Sequence, residues 1–327
     1  MKKILIVKLG DIGDVIECLY LCDYIKKFSK EIEIHWLVGK NSAPILQRFG
    51  VDMIYTIDSN GLIYGNILQK IVNVVRSWIK ISFKKFDTVY LCHRDCKYKL
   101  LTCFTYRSKF CQLSNFKNIN RILEYINLFD DKAKNIHIKP IRLQSLKRIV
   151  NSKDKKYIVA FAPGGVEYST QRYNKWIRQW PIENYVELAK SLIHNNFRVI
   201  LTGDKNDIWV EKYFSGIPVE SYIGKTDINE TIDLYASVDC VVTVDSGPMH
   251  LACLTESEII VLFGPTNFAT ITPPGKNVHS IISKKFLNCA PCYDGKSYAK
   301  CETKDCLKNI KVSEVLELIN KLLRKKL

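Results

Sequence analysis

The chain has 327 residues, 47% of them hydrophobic and 25% charged, with a formal net charge of +16. This length and composition exclude a disordered or fibrous chain and suit about two globular domains, while no apolar run approaches the ~20 residues that span a bilayer. The positive excess favours polyanionic partners: nucleic acid, anionic lipid or phosphorylated substrates.

The start, MKKILIV, is basic and apolar, but Asp11, Asp14 and Glu17 interrupt the run before any small-residue cleavage site, so it is read as a strand rather than a leader and the chain is expected in the cytoplasm. ILIVK (4–8) is a buried strand, and 14–28 a helix with apolar residues at Val15, Leu19, Cys22 and Ile25. EIEIHWLV (31–38) alternates as a strand. A short helix about 42–48, a strand at 53–58, a helix over 65–80 and a strand at 86–92 follow, then helical patterns at 96–108 and 119–129. The polar stretch 131–156 is the best linker, with LQSLKRIV as a short helix within it. Beyond it come a strand at 157–165, an amphipathic helix at 180–196 with Pro181 near its first turn, strands at 197–203, 239–244 and 258–264, helices at 231–238 and 246–254, and a closing helix at 313–327 capped by Ser313. Strand–helix–strand succession predicts parallel βαβ units. The fold class is therefore α/β, with two doubly wound domains, 1–150 and 151–327. Ligands of such sheets sit beyond the carboxyl ends of strands, and with two domains the natural site is the cleft between them.

Three strand exits carry the chemistry. In KLGDIGDVI (8–16), Gly10 and Gly13 allow a tight turn and close approach of a ligand, but the third glycine of the dinucleotide fingerprint is missing. Asp14 here is either a reacting carboxylate or a charge that complements a helix N-terminus. In APGGVEYSTQRYNKWIRQWP (162–181), Gly164 and Gly165 precede Ser169, Thr170, Arg172, Lys175 and Arg178. These suit a phosphate or diphosphate, or form a solvated basic loop. In VTVDSGPMHLA (242–252), Asp245 ends a strand. Ser246 and Pro248 fit a helix start, and His250 falls on the new helix, where an interior role is the plainer reading. LFGPTN (262–267) is a further glycine turn at a strand exit.

Taken together, ILIVKLGDIGDVI, APGG…RQWP, VDSGPMHLA, LFGPT and CAPC resemble, in order and spacing, glycosyltransferase family 9, the ADP-heptose:lipopolysaccharide heptosyltransferases. The resemblance implies the GT-B architecture: two Rossmann-like doubly wound parallel-sheet domains facing a cleft. The N-terminal domain would serve the acceptor and the C-terminal domain the nucleotide-sugar. It implies inverting transfer of a sugar, heptose by resemblance, from an ADP-sugar, with no cofactor required for catalysis. By motif, Asp14 matches the general base and Arg178 the basic residue that contacts donor phosphate. Ser169 and Thr170 lie near the phosphate-binding hydroxyls. Asp245 matches the acid that binds the donor sugar, and Ser246, Gly247 and His250 the donor-site helix start. Asp207 in GDKND is matched to the ribose-binding acid. The chain departs from the family at Glu17, where the usual motif has histidine, and in a longer segment between Thr170 and Trp180.

Most of the twelve cysteines stand singly in apolar settings, as small hydrophobes. Cys289, Cys292, Cys301 and Cys306, spaced C-x₂-C-x₈-C-x₄-C, are either reduced thiols in a compact loop or ligands of a structural zinc or iron. The basic balance suits a phosphorylated lipid-linked or glycan acceptor and peripheral contact with the inner, anionic face of a membrane. Two other readings stay open: a protein-modifying glycosyltransferase of the same fold, and a non-catalytic nucleotide or nucleic-acid binder. No aromatic–basic stacking strip or DNA-reading motif supports nucleic acid.

Overall fold

The computed structural model describes residues 2–114, 119–133, 136–150, 156–164, 177–295, 298–301 and 303–324. The chain divides into two compact units, Met1–His137 and Ile138–Leu327.

In unit 1, strands β1 (Lys3–Val7), β2 (Glu33–Gly39), β3 (Met53–Ile57), β4 (Lys85–Leu91) and β5 (Tyr106–Gln112) form a parallel sheet in the order β3-β2-β1-β4-β5. Five helices accompany it: α1 (Ile12–Phe28), α2 (Ala43–Phe49), α3 (Ser59–Ile63), α4 (Ile67–Ile81) and α5 (Arg121–Ile126). β1 is a near-continuous apolar run because a central parallel strand is covered on both faces. α1 is buried along most of its length, which is why Cys18 and Cys22 occur there as core residues. α2 stops at Gly50, whose φ of 84° suits a left-handed C-cap. α4 starts with a reciprocal capping box: the Gln69 amide donates to Asn66 Oδ1 and the Asn66 amide to Gln69 Oε1, both at 2.9 Å.

In unit 2, β6 (Ile158–Ala162), β7 (Arg198–Leu201), β8 (Glu220–Ser221), β9 (Cys240–Val244), β10 (Glu258–Phe263) and β11 (Val278–Ile282) form a second parallel sheet, ordered β11-β10-β9-β6-β7-β8. Its helices are α6 (Ile182–His194), α7 (Ile228–Ala236), α8 (Gly247–Ala252), α9 (Phe268–Ile271), α10 (Asp305–Lys308) and α11 (Val312–Arg324), with a 3₁₀ segment at Lys205–Phe214. α11 inserts Val315, Ile319 and Leu323 into the core that also holds Phe161, Trp180 and Tyr185.

Both units thus reverse strand order beside their first strand, between β1 and β4 and between β6 and β9. In doubly wound sheets such reversals are where ligands sit, beyond the carboxyl ends of the strands. The expected α/β class with two doubly wound parallel sheets is what the chain adopts.

Several elements differ from the sequence reading. Residues 96–108 read as a helix, but they form a 3₁₀ turn, Cys96–Thr102, and then enter β5. Pairing with β4 supplies the hydrogen bonds of this edge strand, and a periodicity cannot show that. Residues 143–150 are not helical, because unit 2 satisfies their amides. Leu143 donates to Leu254 O at 2.8 Å, Leu146 to Asp233 Oδ1 at 2.9 Å and Ile149 to Ser237 Oγ at 3.1 Å. These contacts put 138–150 with the second unit, whereas the sequence reading drew the line at 150/151. Ser313 lies inside α11 rather than at its cap.

Candidate functional site

At the reversal point of unit 1, β1 ends and the chain turns through Gly10 into α1. Asp14 is in the first turn of α1, and its Oδ2 lies 3.1 Å from Lys8 Nζ. Lys8 is almost fully buried, with its ammonium 5.4 Å from the centre of the Tyr125 ring; Asp14 keeps 35% of its side chain exposed. Burial alone would raise the Asp14 pKa. The adjacent Lys8 and the charge of Arg121 outweigh it and hold the carboxyl at about 2. An ionised carboxylate, partly open to solvent, is therefore fixed beside a strand exit. Gly10 makes the room: a Cβ there would stand 2.5 Å from Asp14 Oδ2. Gly13 is buried in the first turn of α1, beside Asp14.

From the end of β4, His93 completes this corner. The Leu9 amide donates to His93 Nε2 at 2.9 Å, so that nitrogen carries a lone pair. Burial and the Lys8 charge push the His93 pKa well below its ordinary value, and the ring stacks on Tyr98 at 4.0 Å. His93 is thus a neutral imidazole that fixes the backbone between Lys8 and Gly10. Sequence reasoning singled out neither Lys8 nor His93. The available signals were a lysine ending an otherwise apolar strand and a polar cluster at the exit of the strand that neighbours β1.

At the reversal point of unit 2, Asp245 follows β9 and is buried. Arg178 Nη1 donates to the Asp245 carbonyl at 2.7 Å and lies 3.5 Å from its Oδ2. The guanidinium is 5.8 Å from the Tyr298 ring centre. Ser246 is the residue before α8, extended in backbone, with its hydroxyl donating back to Val244 O at 3.3 Å. Gly247 opens α8, and a Cβ there would meet nothing within 4 Å. His250 is buried in α8. The matched cation and acid are therefore in direct contact.

Asp207 belongs to a third strand exit, after β7. Its carboxylate fills the space left by two glycines: a Cβ on Gly164 would be 2.1 Å from Asp207 Oδ1, and one on Gly203 2.7 Å from Oδ2. The Asp204 amide donates to Asp207 Oδ2 at 3.0 Å. Burial raises the Asp207 pKa to about 6, against the hydrogen bond from the Asp204 amide, which lowers it. Ser169 and Thr170, with Arg172 and Lys175, lie outside the described residues.

Trp180 of the RQWP motif is structural. It is fully buried, donates from Nε1 to Ile310 O at 3.0 Å and meets Tyr185 edge-on at 4.9 Å. The late cysteines occupy a loop against the LFGPT turn, where Cys292 and Tyr293 both donate backbone N–H to Pro265 O. That loop also delivers Tyr298 to Arg178. Burial pushes the Cys306 thiol up to about 11, and Cys301, Cys292 and Cys289 add to the shift. Among the described residues no group of three or more His, Cys, Asp or Glu side chains is placed to hold a metal ion. No helix among them is long and apolar enough to cross a membrane.

Two doubly wound parallel-sheet units with acids and glycines at their strand exits define a two-unit Rossmann-like α/β chain. Residues 125–302 match the model of glycosyltransferase family 9 (heptosyltransferase), more than half of the chain, and the protein belongs to that family. It is 36% identical over 132 residues to the Lipooligosaccharide heptosyltransferase 2 of Haemophilus influenzae, a match covering 38% of this chain but only 36% of that protein's length. Its similarity to the Lipooligosaccharide heptosyltransferase 2 of Campylobacter jejuni, serotype O:6, is 26% identity over 65% of this chain and 67% of the relative. Among solved structures, the E. coli ADP-heptose LPS heptosyltransferase II superposes with a TM-score of 0.74 at 19% identity, over 100% of this chain and 99% of that one. That likeness concerns the fold.

Proposed function

We propose that the protein is an inverting heptosyltransferase that moves heptose from an ADP-heptose donor to a lipid-linked lipopolysaccharide-core acceptor bearing phosphate. Family membership supports the reaction class, and the names of the relatives support the donor and the acceptor. The observation that carries the mechanism is the Asp14 carboxylate, held ionised at the exit of β1. Cleavage of the sugar–diphosphate bond develops oxocarbenium character on the sugar and negative charge on ADP. The acceptor hydroxyl attacks the opposite face of the anomeric carbon and loses its proton to Asp14, a role worth roughly 10²–10⁴ in rate. In unit 2, Arg178 answers the diphosphate charge, Asp245 and the Ser246–Gly247 turn orient the sugar, and Asp207 accepts hydroxyls of the nucleotide. Gly164 leaves room for the Asp207 carboxylate, His250 supports the α8 start, Ser169 and Thr170 add phosphate-binding hydroxyls, and Gly13 shapes the turn that presents Asp14.

The electropositive balance supports a phosphorylated acceptor and a place at the inner face of the cytoplasmic membrane. The C-x₂-C-x₈-C-x₄-C spacing of the late cysteines is what supports a structural metal in their loop, with no part in the transfer.

ADP release from ADP-heptose in the presence of crude lipooligosaccharide acceptor tests the reading. Asp14→Asn is expected to abolish release while ADP binding, measured by calorimetry, is kept. Near-normal turnover of that variant would remove Asp14 from the mechanism.

A further inference from the structure

Helix α4 presents its apolar stripe to solvent. The side chains it buries fully are Asn73, Ser77 and Ile81, whereas Ile67, Leu68, Ile71 and Ile79 are 53–77% exposed. The interior polar groups are satisfied. Asn73 Nδ2 donates to Gln69 O, the Asp58 amide donates to Asn73 Oδ1, and Ser77 Oγ donates to Val74 O. The helix is therefore seated as the fold requires, with its hydrophobic side outward. Large contiguous apolar surface of this kind marks an interaction site.

The patch continues past the helix. Trp78 meets Phe104 edge-on at 4.8 Å, Phe83 donates its amide to Phe104 O, and the Phe83 and Tyr106 rings are 6.5 Å apart. Phe83 is 78% exposed and holds a φ of 59°, a left-handed conformation costly for an aromatic residue. Neither its burial nor its backbone gives a folding reason for phenylalanine there.

Charge identifies the occupant. From residue 59 to 86 the sequence has no Asp or Glu but contains Lys70, Arg76, Lys80, Lys84 and Lys85, and from 96 to 123 it again has none, with Arg107 and Lys109 on exposed β5. An isologous contact with a second copy would bring like charges together. An apolar stripe rimmed by cations is what an interfacial helix offers to acyl chains beneath anionic headgroups.

We propose that α4, the Phe83 turn and edge strand β5 form a membrane-docking face that seats unit 1 on an anionic lipid bilayer. This rests on the membrane placement proposed above and on no assumption about the transfer reaction. The test is co-sedimentation of the full chain with vesicles of phosphatidylcholine alone or with added phosphatidylglycerol, at low and high salt and without substrate. Expected are binding to the anionic vesicles, weakening with salt, and a drop of about tenfold or more for the I67S/I71S/I79S triple variant and for K84E/K85E. Phe83→Asn should bind less while melting at the same or a higher temperature, since asparagine tolerates the left-handed backbone; a merely structural role predicts the opposite. The wild-type arms need no variant. Absence of binding to anionic vesicles, unchanged binding of the variants, or a wild-type dimer that the triple variant converts to monomer would each overturn the proposal.

Discussion

Lys8 Nζ stands 3.1 Å from Asp14 Oδ2, and the lysine is the more deeply buried of the two. The cation is fixed by the strand and the aromatic ring of Tyr125, while the carboxylate looks outward. Such a pair sets the protonation state of its exposed member. Replacing Lys8 with Met leaves the burial of Asp14 opposed only by more distant charge, so its pKa rises from about 2. The acid limb of the pH–kcat/KM profile should therefore move upward in Lys8→Met, toward the working range. An unmoved limb would mean that a different group sets it.

The same pair makes a stability prediction. A carboxyl lowered from 3.8 to about 2 on folding contributes stability that is complete above 3.8 and lost as pH falls through about 2. Acid unfolding of Asp14→Asn, followed by circular dichroism, should accordingly show a shallower loss of stability between those values than the wild type.

Asp207 is shifted the other way. With a pKa raised to about 6, it is protonated in mildly acidic solution and ionised above. Its ionisation opposes folding, so its contribution to stability falls as pH rises from 3.8 through about 6. An acid that accepts nucleotide hydroxyls does so best when ionised, so ADP affinity should weaken as pH drops below about 6 more steeply than in Asp207→Asn, where only the ADP phosphate titrates. Calorimetric titrations across the interval decide the matter; a wild-type profile no steeper than the variant's would exclude Asp207 from nucleotide binding.

Gly164→Ala would place a methyl group 2.1 Å from Asp207 Oδ1, so the carboxylate must leave its bond to the Asp204 amide. The displaced group is a side-chain end, so the fold should survive. We expect a near-normal melting temperature with ADP affinity reduced about tenfold, on the order of 1.4 kcal/mol. Unaltered affinity would show that the position of this carboxylate is immaterial.

Trp180→Phe tests the structural half of the RQWP motif. It removes the donor to Ile310 O from a fully buried site. An unsatisfied carbonyl costs about 1–3 kcal/mol, to which the lost ring volume adds. Urea unfolding should report that loss with little change in ADP affinity.

For the late cysteine loop, elemental analysis of protein purified under reducing conditions should find about one zinc or iron per chain if the four thiols hold a structural ion. A metal-free, fully folded protein would leave them as reduced thiols.

The sequence by itself determined the central elements and the strand exits of the candidate site. β1, β6, β9 and β10 are legible because strands covered on both faces must be apolar throughout. Gly10, Asp14, Gly164 and Asp245 are legible because ligands of doubly wound sheets sit at strand exits, where glycines make tight turns. The tertiary structure decided what depends on partners distant in sequence. β5 exists because β4 pairs with it, and 138–150 runs non-helical because unit 2 accepts its amides. His93 meets Leu9 only once β1 and β4 are neighbours. The orientation of α4 was equally invisible. Its periodicity fixes which residues share a face, but packing against the sheet decides which face is buried, and here the fold buried Asn73 and Ser77 and left Ile67, Ile71 and Ile79 outside.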